Sequence, residues 1–148
     1  MAAYNQRTHC RPAPPAALLS LVNSGFGASA LTLISELVSG KTAEATQLDE
    51  QREQLLVNLC NSLRLLVTAD DDRPPSSAAF KNARLLAKEQ GAALSLMAAI
   101  KTCERQGRQA GACAALAALR QFAANDEICK EVRRAGVSMR AWVCLQEL

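Results

Sequence analysis

Apolar residues recur along most of the chain at intervals of three and four positions, which is the spacing of one face of an α-helix. Two stripes are the clearest, one between about residues 50 and 68 and the other between 109 and 123. They consist of Leu56, Leu59, Leu63 and Leu66 in the first and of Ala112, Ala115, Leu119 and Phe122 in the second. No segment shows the strict alternation that is typical of a strand. The pattern therefore predicts an all-α fold.

Proline, glycine and polar segments divide the chain. Residues 1–13 are predicted to form a disordered tail, and residues 14–148 a single helical domain. Polar segments at 41–50 and 70–76 are predicted to be loops within that domain. The chain is long enough for one domain with a sizeable core.

Serine and glycine residues mark several expected helix ends. Ser29 is expected to cap a helix that carries Leu31 and Ile34, and Ser76 or Ser77 to cap a later one. Gly91 is expected to form the corner after that later helix.

Two pairs of segments show an internal repeat. The segment 62–70 resembles 118–126, because each ends an amphipathic helix with Leu-Arg and closes on an acidic turn. The charged helix ends before Gly91 and Gly136 form the second pair, and these glycines are about 45 residues apart. That period and the order of helices indicate stacked units of the armadillo type, in which neighbouring units share one core.

Two segments, 77–89 and 124–132, carry a family resemblance. Both resemble the armadillo repeat-containing protein 6 family, particularly its plant and algal members, and the similarity covers about residues 18–136. The run from Asn125 to Cys129 is its most specific part. The resemblance implies a right-handed armadillo-type helical solenoid of about two to three incomplete repeats, with no cofactor and a protein-binding role. Members of the family are several times longer, so we expect this chain to be truncated.

The resemblance also implies a groove for an extended peptide, lined by each third helix, here about 50–68 and 109–124. In the nuclear-import adaptors of this class the groove carries a Trp and, four residues on, an Asn. The matching positions hold Asn61 and Leu65 in one helix, and Ala117 and Gln121 in the other. Because the Trp is absent from both, we do not expect recognition of nuclear-import signals.

Several polar side chains remain on that predicted groove face. Amides can hydrogen-bond a peptide backbone, and arginines can pair with acidic or phosphorylated side chains. We therefore predict a non-catalytic scaffold that binds other proteins, although a plain solvated helix face is the alternative for each residue. The predicted partner-binding residues are Asn58, Asn61, Arg64, Arg120 and Gln121.

Composition supports helices and excludes several classes of function. Hydrophobic residues make up 49% of the chain but aromatic residues only 3%, so most apolar residues are helix-forming Ala and Leu. A net charge of +3 and few aromatic rings argue against nucleic acid as a partner. No apolar run reaches the ~18–20 residues of a membrane span.

Residues with catalytic or metal-binding chemistry are sparse. None of the six cysteines forms a CxxC pair, and Cys60, Cys113 and Cys129 lie in apolar helical patterns that predict reduced core residues. The single histidine, His9, lies in the predicted tail, and the aspartates at 70–72 lack the spacing of a calcium loop. We expect no enzyme activity, metal or cofactor.

The N-terminus leaves an alternative open. Residues 1–35 contain no Asp or Glu but include Arg7 and Arg11, which is compatible with an organelle-targeted regulatory helical bundle. Otherwise we expect a cytoplasmic protein, with nuclear and organellar locations open. Exposed terminal helices, the last of them carrying Trp142, allow self-association.

Overall fold

The computed structural model describes residues 20–39, 48–68, 77–88, 90–123 and 130. These residues contain helices and no strand, which confirms the all-α prediction for this part of the chain. Residues 20–23 are helical and lead through a turn into the first complete helix. The complete helices are α1 (Phe26–Ser39), α2 (Glu50–Val67), α3 (Ala78–Lys88), α4 (Ala92–Arg105) and α5 (Gln109–Ala123).

Most of the predicted helix ends within the described residues are confirmed. α2 begins at Glu50, as predicted, and Asp49, which was not predicted as a cap, accepts a hydrogen bond from the Arg52 backbone N–H at 2.8 Å. Ser77 caps α3 by accepting from the Phe80 N–H at 3.1 Å. Gly91, with a φ of 65°, turns the chain into α4.

The expected cap at Ser29 is wrong. α1 begins three residues earlier, at Phe26, and the Ser29 N–H donates to the Gly25 carbonyl at 3.0 Å as part of the helix. Gly25 adopts a φ of 84°, which ends the preceding turn and lets the new helix begin at once. The predicted tail, most of the loop predicted at 41–50, all of the loop predicted at 70–76, and all residues after Lys130 lie outside the described residues.

The helices pack as two neighbouring pairs. α2 packs most extensively on α5, and α1 packs on α4. Between the pairs, α4 contacts α5 extensively and α1 contacts α2, while α3 contacts both α2 and α4. One continuous apolar core runs through all of them, with Ile34, Leu56, Leu96 and Phe122 fully buried in it.

The N-terminal ends of α2 and α5 lie side by side. The Glu53 carboxylate accepts a hydrogen bond from the Gly111 N–H at 3.0 Å and pairs with the Arg108 guanidinium at 3.5 Å. Just before the two helices, the Leu48 N–H donates to the Gln106 side-chain oxygen at 2.7 Å. The two helices therefore start together and run in the same direction.

Glu53 serves as the cap that α5 lacks. Arg108 immediately precedes α5, and its guanidinium has no acceptor atom for the free N–H groups of the first turn. The Glu53 carboxylate supplies that acceptor from the neighbouring helix, and its negative charge suits the positive end of the α5 dipole.

A buried amide joins α3 to the end of α2. The Asn82 side-chain NH₂ donates to the Leu66 carbonyl at 3.1 Å, which satisfies one of the last carbonyls of α2. The Asn82 Oδ1 is also buried and has no hydrogen-bond partner among the described residues. This contact positions α3 across the C-terminal end of α2.

Gly111 lets α5 approach its neighbours closely. A Cβ atom at this position would lie 2.8 Å from the Cys103 Sγ on α4 and 3.4 Å from the Leu56 Cδ2 on α2. Because the first distance is too short for a real contact, a side chain at Gly111 requires Cys103 or the backbone to shift.

We expect Gly111→Ala to lower the free energy of unfolding by about 1–2 kcal/mol, since overpacking outweighs the ~1 kcal/mol that alanine gains in a helix. In a Cys103→Ala background the clash is absent, and Gly111→Ala should be neutral or stabilising. Urea unfolding of the wild type, the two single variants and the double variant measures the coupling between positions 103 and 111. An equal effect of Gly111→Ala in both backgrounds would refute the packing explanation.

We expect Glu53→Ala to lower the free energy of unfolding by about 2 kcal/mol, because the 14% exposed carboxylate holds a charged hydrogen bond. Glu53→Gln should lose less, since its amide oxygen still accepts from Gly111. Glu50→Ala is the matched control, because this exposed glutamate stands in the same first turn of α2. If Glu50→Ala and Glu53→Ala lower the free energy of urea unfolding by similar amounts, the capping of α5 is not the reason for the effect of Glu53→Ala.

Candidate protein-binding surface

The predicted partner-binding residues all lie on α2 and α5, outside the core. Asn58, Arg64 and Arg120 are exposed, while Asn61 and Gln121 are half-buried. The two helices pack side by side, and we call these residues together the α2–α5 surface.

On α2, one outward ridge combines amides with an apolar side chain. Asn58, Asn61 and Leu65 are spaced by three and four positions and therefore project from the same side of the helix. Leu65 is 59% exposed, which is high for a leucine on a helix with a well-filled core face. The Gln54 side-chain NH₂ donates to the Asn58 Oδ1 at 3.2 Å and so orients this amide.

On α5, most of the outward-facing side chains are small. Arg120 and Cys113 are exposed seven positions apart, with the half-buried Ala117 between them. The prediction that Cys113 is a core residue is therefore wrong. The core face of α5 consists of the glycine and alanines at 111, 112, 114, 115 and 118 together with its larger residues, which leaves position 113 outside.

The two arginines on this surface are unpaired within the described part of the chain. Neither Arg64 nor Arg120 has a side-chain hydrogen bond or an ion pair there. Each stands in the last turn of its helix, where a positive charge is favourable to the helix dipole. Their guanidinium groups are therefore held near matching ends of two neighbouring helices and remain open to an anionic partner.

Two buried cysteines lie beneath the surface as free thiols, Cys60 on α2 and Cys103 on α4. Burial, and to a smaller extent Cys103, raises the pKa of Cys60 to about 12. Burial, followed by the Glu53 carboxylate, raises the pKa of Cys103 to about 11. Both thiols are neutral at neutral pH, so neither is an activated nucleophile. The prediction of a reduced core cysteine is confirmed for Cys60.

A further concave feature lies between α1 and α4. A shallow groove of about 760 Å³ runs between α1 and α4, with Ser35 and Val38 on one side and Lys101 and Arg105 on the other. The Arg105 guanidinium donates to the Thr102 hydroxyl at 3.2 Å within it. Sequence patterns gave no signal for this groove, because it depends on how two distant helices pack.

The described residues contain no group of three or more His, Cys, Asp or Glu side chains that is able to hold a metal ion. None of the described helices is both long enough and apolar enough to cross a membrane. Comparison with known proteins finds no matching family model, no matching curated protein and no matching solved structure.

We expect iodoacetamide at pH 8 to alkylate Cys113 in the folded protein at least about a hundredfold faster than Cys60 or Cys103. A thiol pKa two or more above the ordinary 9.0 lowers the reactive thiolate fraction by about that factor, and burial slows access further. Peptide mapping by mass spectrometry distinguishes the sites, and protein unfolded in guanidinium is the control. Similar rates at the three cysteines in the folded protein would contradict the structure.

Proposed function

We propose that this chain is a non-catalytic armadillo-type repeat module whose α2–α5 surface binds an extended segment of another protein. The segment carries acidic or phosphorylated side chains. In a solenoid of three-helix repeats, each helix stacks on the equivalent helix of the next repeat. The right-handed superhelix and the number of repeats are part of this proposal.

The packing of the helices supports the repeat assignment. If α1 and α2 are the second and third helices of one unit, then α3, α4 and α5 are the three helices of the next. The pairs expected to stack are then α1 with α4 and α2 with α5, and these pairs do pack together. The parallel start of α2 and α5, tied by Glu53 and Gly111, agrees with equivalent positions in successive units.

The two unpaired arginines carry the binding proposal. Arg64 and Arg120 end two neighbouring third helices, and each guanidinium is able to make two parallel hydrogen bonds to a carboxylate or phosphate. The exposed Asn58 and the half-buried Asn61 supply donors and acceptors for a peptide backbone, and Leu65 adds an apolar contact.

The geometry of packed helices suggests the spacing of the ligand groups. Axes of neighbouring helices lie about 8–10 Å apart, and an extended peptide rises about 3.3 Å per residue. Anionic groups about three residues apart therefore match the spacing of Arg64 and Arg120. Acidic groups on adjacent residues are only about 3.3 Å apart along the peptide and match this spacing less well.

The non-catalytic part of the proposal is argued from the two buried thiols of the described residues, Cys60 and Cys103. The two buried thiols have raised pKa values and are closed off by the core.

We expect a peptide with two phosphoserines three residues apart to bind the protein and Arg64→Glu/Arg120→Glu to weaken that binding at least about thirtyfold. Each reversed arginine loses a charge-assisted hydrogen bond, which contributes about 1.5–3 kcal/mol. Arg64→Lys/Arg120→Lys should give an intermediate loss, because lysine keeps the charge but not the paired hydrogen bonds. Fluorescence polarisation with labelled peptides measures each Kd.

The matched control is Lys101→Glu/Arg105→Glu, which changes the net charge equally but lies on α4, beside the groove that faces α1. This control should leave the Kd of the phosphopeptide within about twofold. If both double variants weaken peptide binding equally, net charge is the cause. If Arg64→Glu/Arg120→Glu leaves peptide binding unchanged, the α2–α5 surface does not bind the peptide.

A further inference from the structure

The solvent-facing side of α3 is uniformly basic. Lys81, Arg84 and Lys88 are all exposed and follow each other at intervals of three and four positions, so they form one row along the helix. α3 contains no acidic residue. Its opposite side is buried against the rest of the fold through Ala79, Asn82, Ala83, Leu86 and Ala87.

This row of cations does not stabilise α3 by itself. Like charges three and four positions apart repel each other on a helix surface. Lys81 stands in the first turn, at the positive end of the helix dipole, where an acidic residue would be favourable. Neither Lys81 nor Arg84 has an ion pair or a side-chain hydrogen bond within the described part of the chain. An acidic partner placed along this face would remove each of these penalties.

We propose that the solvent face of α3 is a second interaction surface, which docks an acidic segment of a partner protein through Lys81 and Arg84. It goes beyond the α2–α5 surface, because it uses a different helix and does not depend on Arg64 or Arg120. The chemistry of recognition is a run of Asp or Glu side chains that matches these two cations.

Two other anionic partners fit this face less well. A membrane-binding helix buries large apolar side chains in the lipid, whereas the exposed large hydrophobic residues of the described chain all lie outside α3. Single-stranded nucleic acid needs aromatic rings on which successive bases stack, and α3 offers only the half-buried Phe80. An acidic protein segment needs neither feature.

The test uses the full chain carrying Arg64→Glu/Arg120→Glu, so that the α2–α5 surface does not contribute, and a fluorescein-labelled oligoglutamate peptide as the probe. Adding Lys81→Glu/Arg84→Glu is expected to weaken peptide binding about tenfold further at low salt. Adding Lys101→Glu/Arg105→Glu instead makes the same change in net charge on α4, and is expected to change binding less than twofold.

The α3 variant has a second readout that separates lost binding from lost folding. Replacing Lys81 and Arg84 by Glu relieves the repulsion and places acids toward the positive end of the helix, so the Tm should stay the same or rise while binding falls. A lower Tm, or equal weakening by the α3 and α4 changes, would overturn the proposal. Tighter binding of phosphatidylserine vesicles or oligouridine than of oligoglutamate, lost in the α3 variant, would also overturn it in favour of a membrane or RNA.

Discussion

The contact between α2 and α5 is the constraint on which the rest of the described structure depends. α5 begins after an arginine that cannot cap it, and the Glu53 carboxylate on α2 takes over that role through the Gly111 N–H. The same glycine allows Cys103 and Leu56 to approach the α5 backbone. Because the cap and the close packing occur at the same point, the starts of α2 and α5 are fixed relative to each other. Helical geometry then sets where the later side chains of the two helices lie.

The helices themselves were largely predictable from the chain, since long amphipathic stripes and strong turn residues occur together. The 109–123 stripe lies between a Gly107 turn and the acidic run that follows, and α5 has the predicted bounds. Cys113 was misplaced because an alanine-rich helix has almost no contrast between its faces. Ser29 was misplaced because a serine before an apolar run resembles a cap, while Gly25 had already ended the preceding turn.

The contacts that organise the fold were not predictable in the same way. Glu53 and Asn82 look like ordinary surface residues in the sequence, because their partners belong to other elements. Glu53 meets a backbone N–H that is 58 positions away, and Asn82 meets a carbonyl 16 positions away. The predicted site residues needed only helical periodicity to be placed on the outside of their helices, but that α2 and α5 are neighbours required the packing.

The division between buried and exposed residues also bears on the proposed binding surfaces. Alanines and leucines supply most of the core, and the binding candidates contribute little to it. Exposed charges on a helix contribute only a few tenths of a kcal/mol to folding. Arg64, Arg120 and Lys88 stand in the last turns of their helices and are mildly favourable there, whereas Lys81 at the start of α3 and its repulsion with Arg84 are mildly unfavourable. The cations Lys81 and Arg84 on α3 are therefore a stronger indication of a partner than the arginines at the ends of α2 and α5, because the local stability of the helix gives no reason for them.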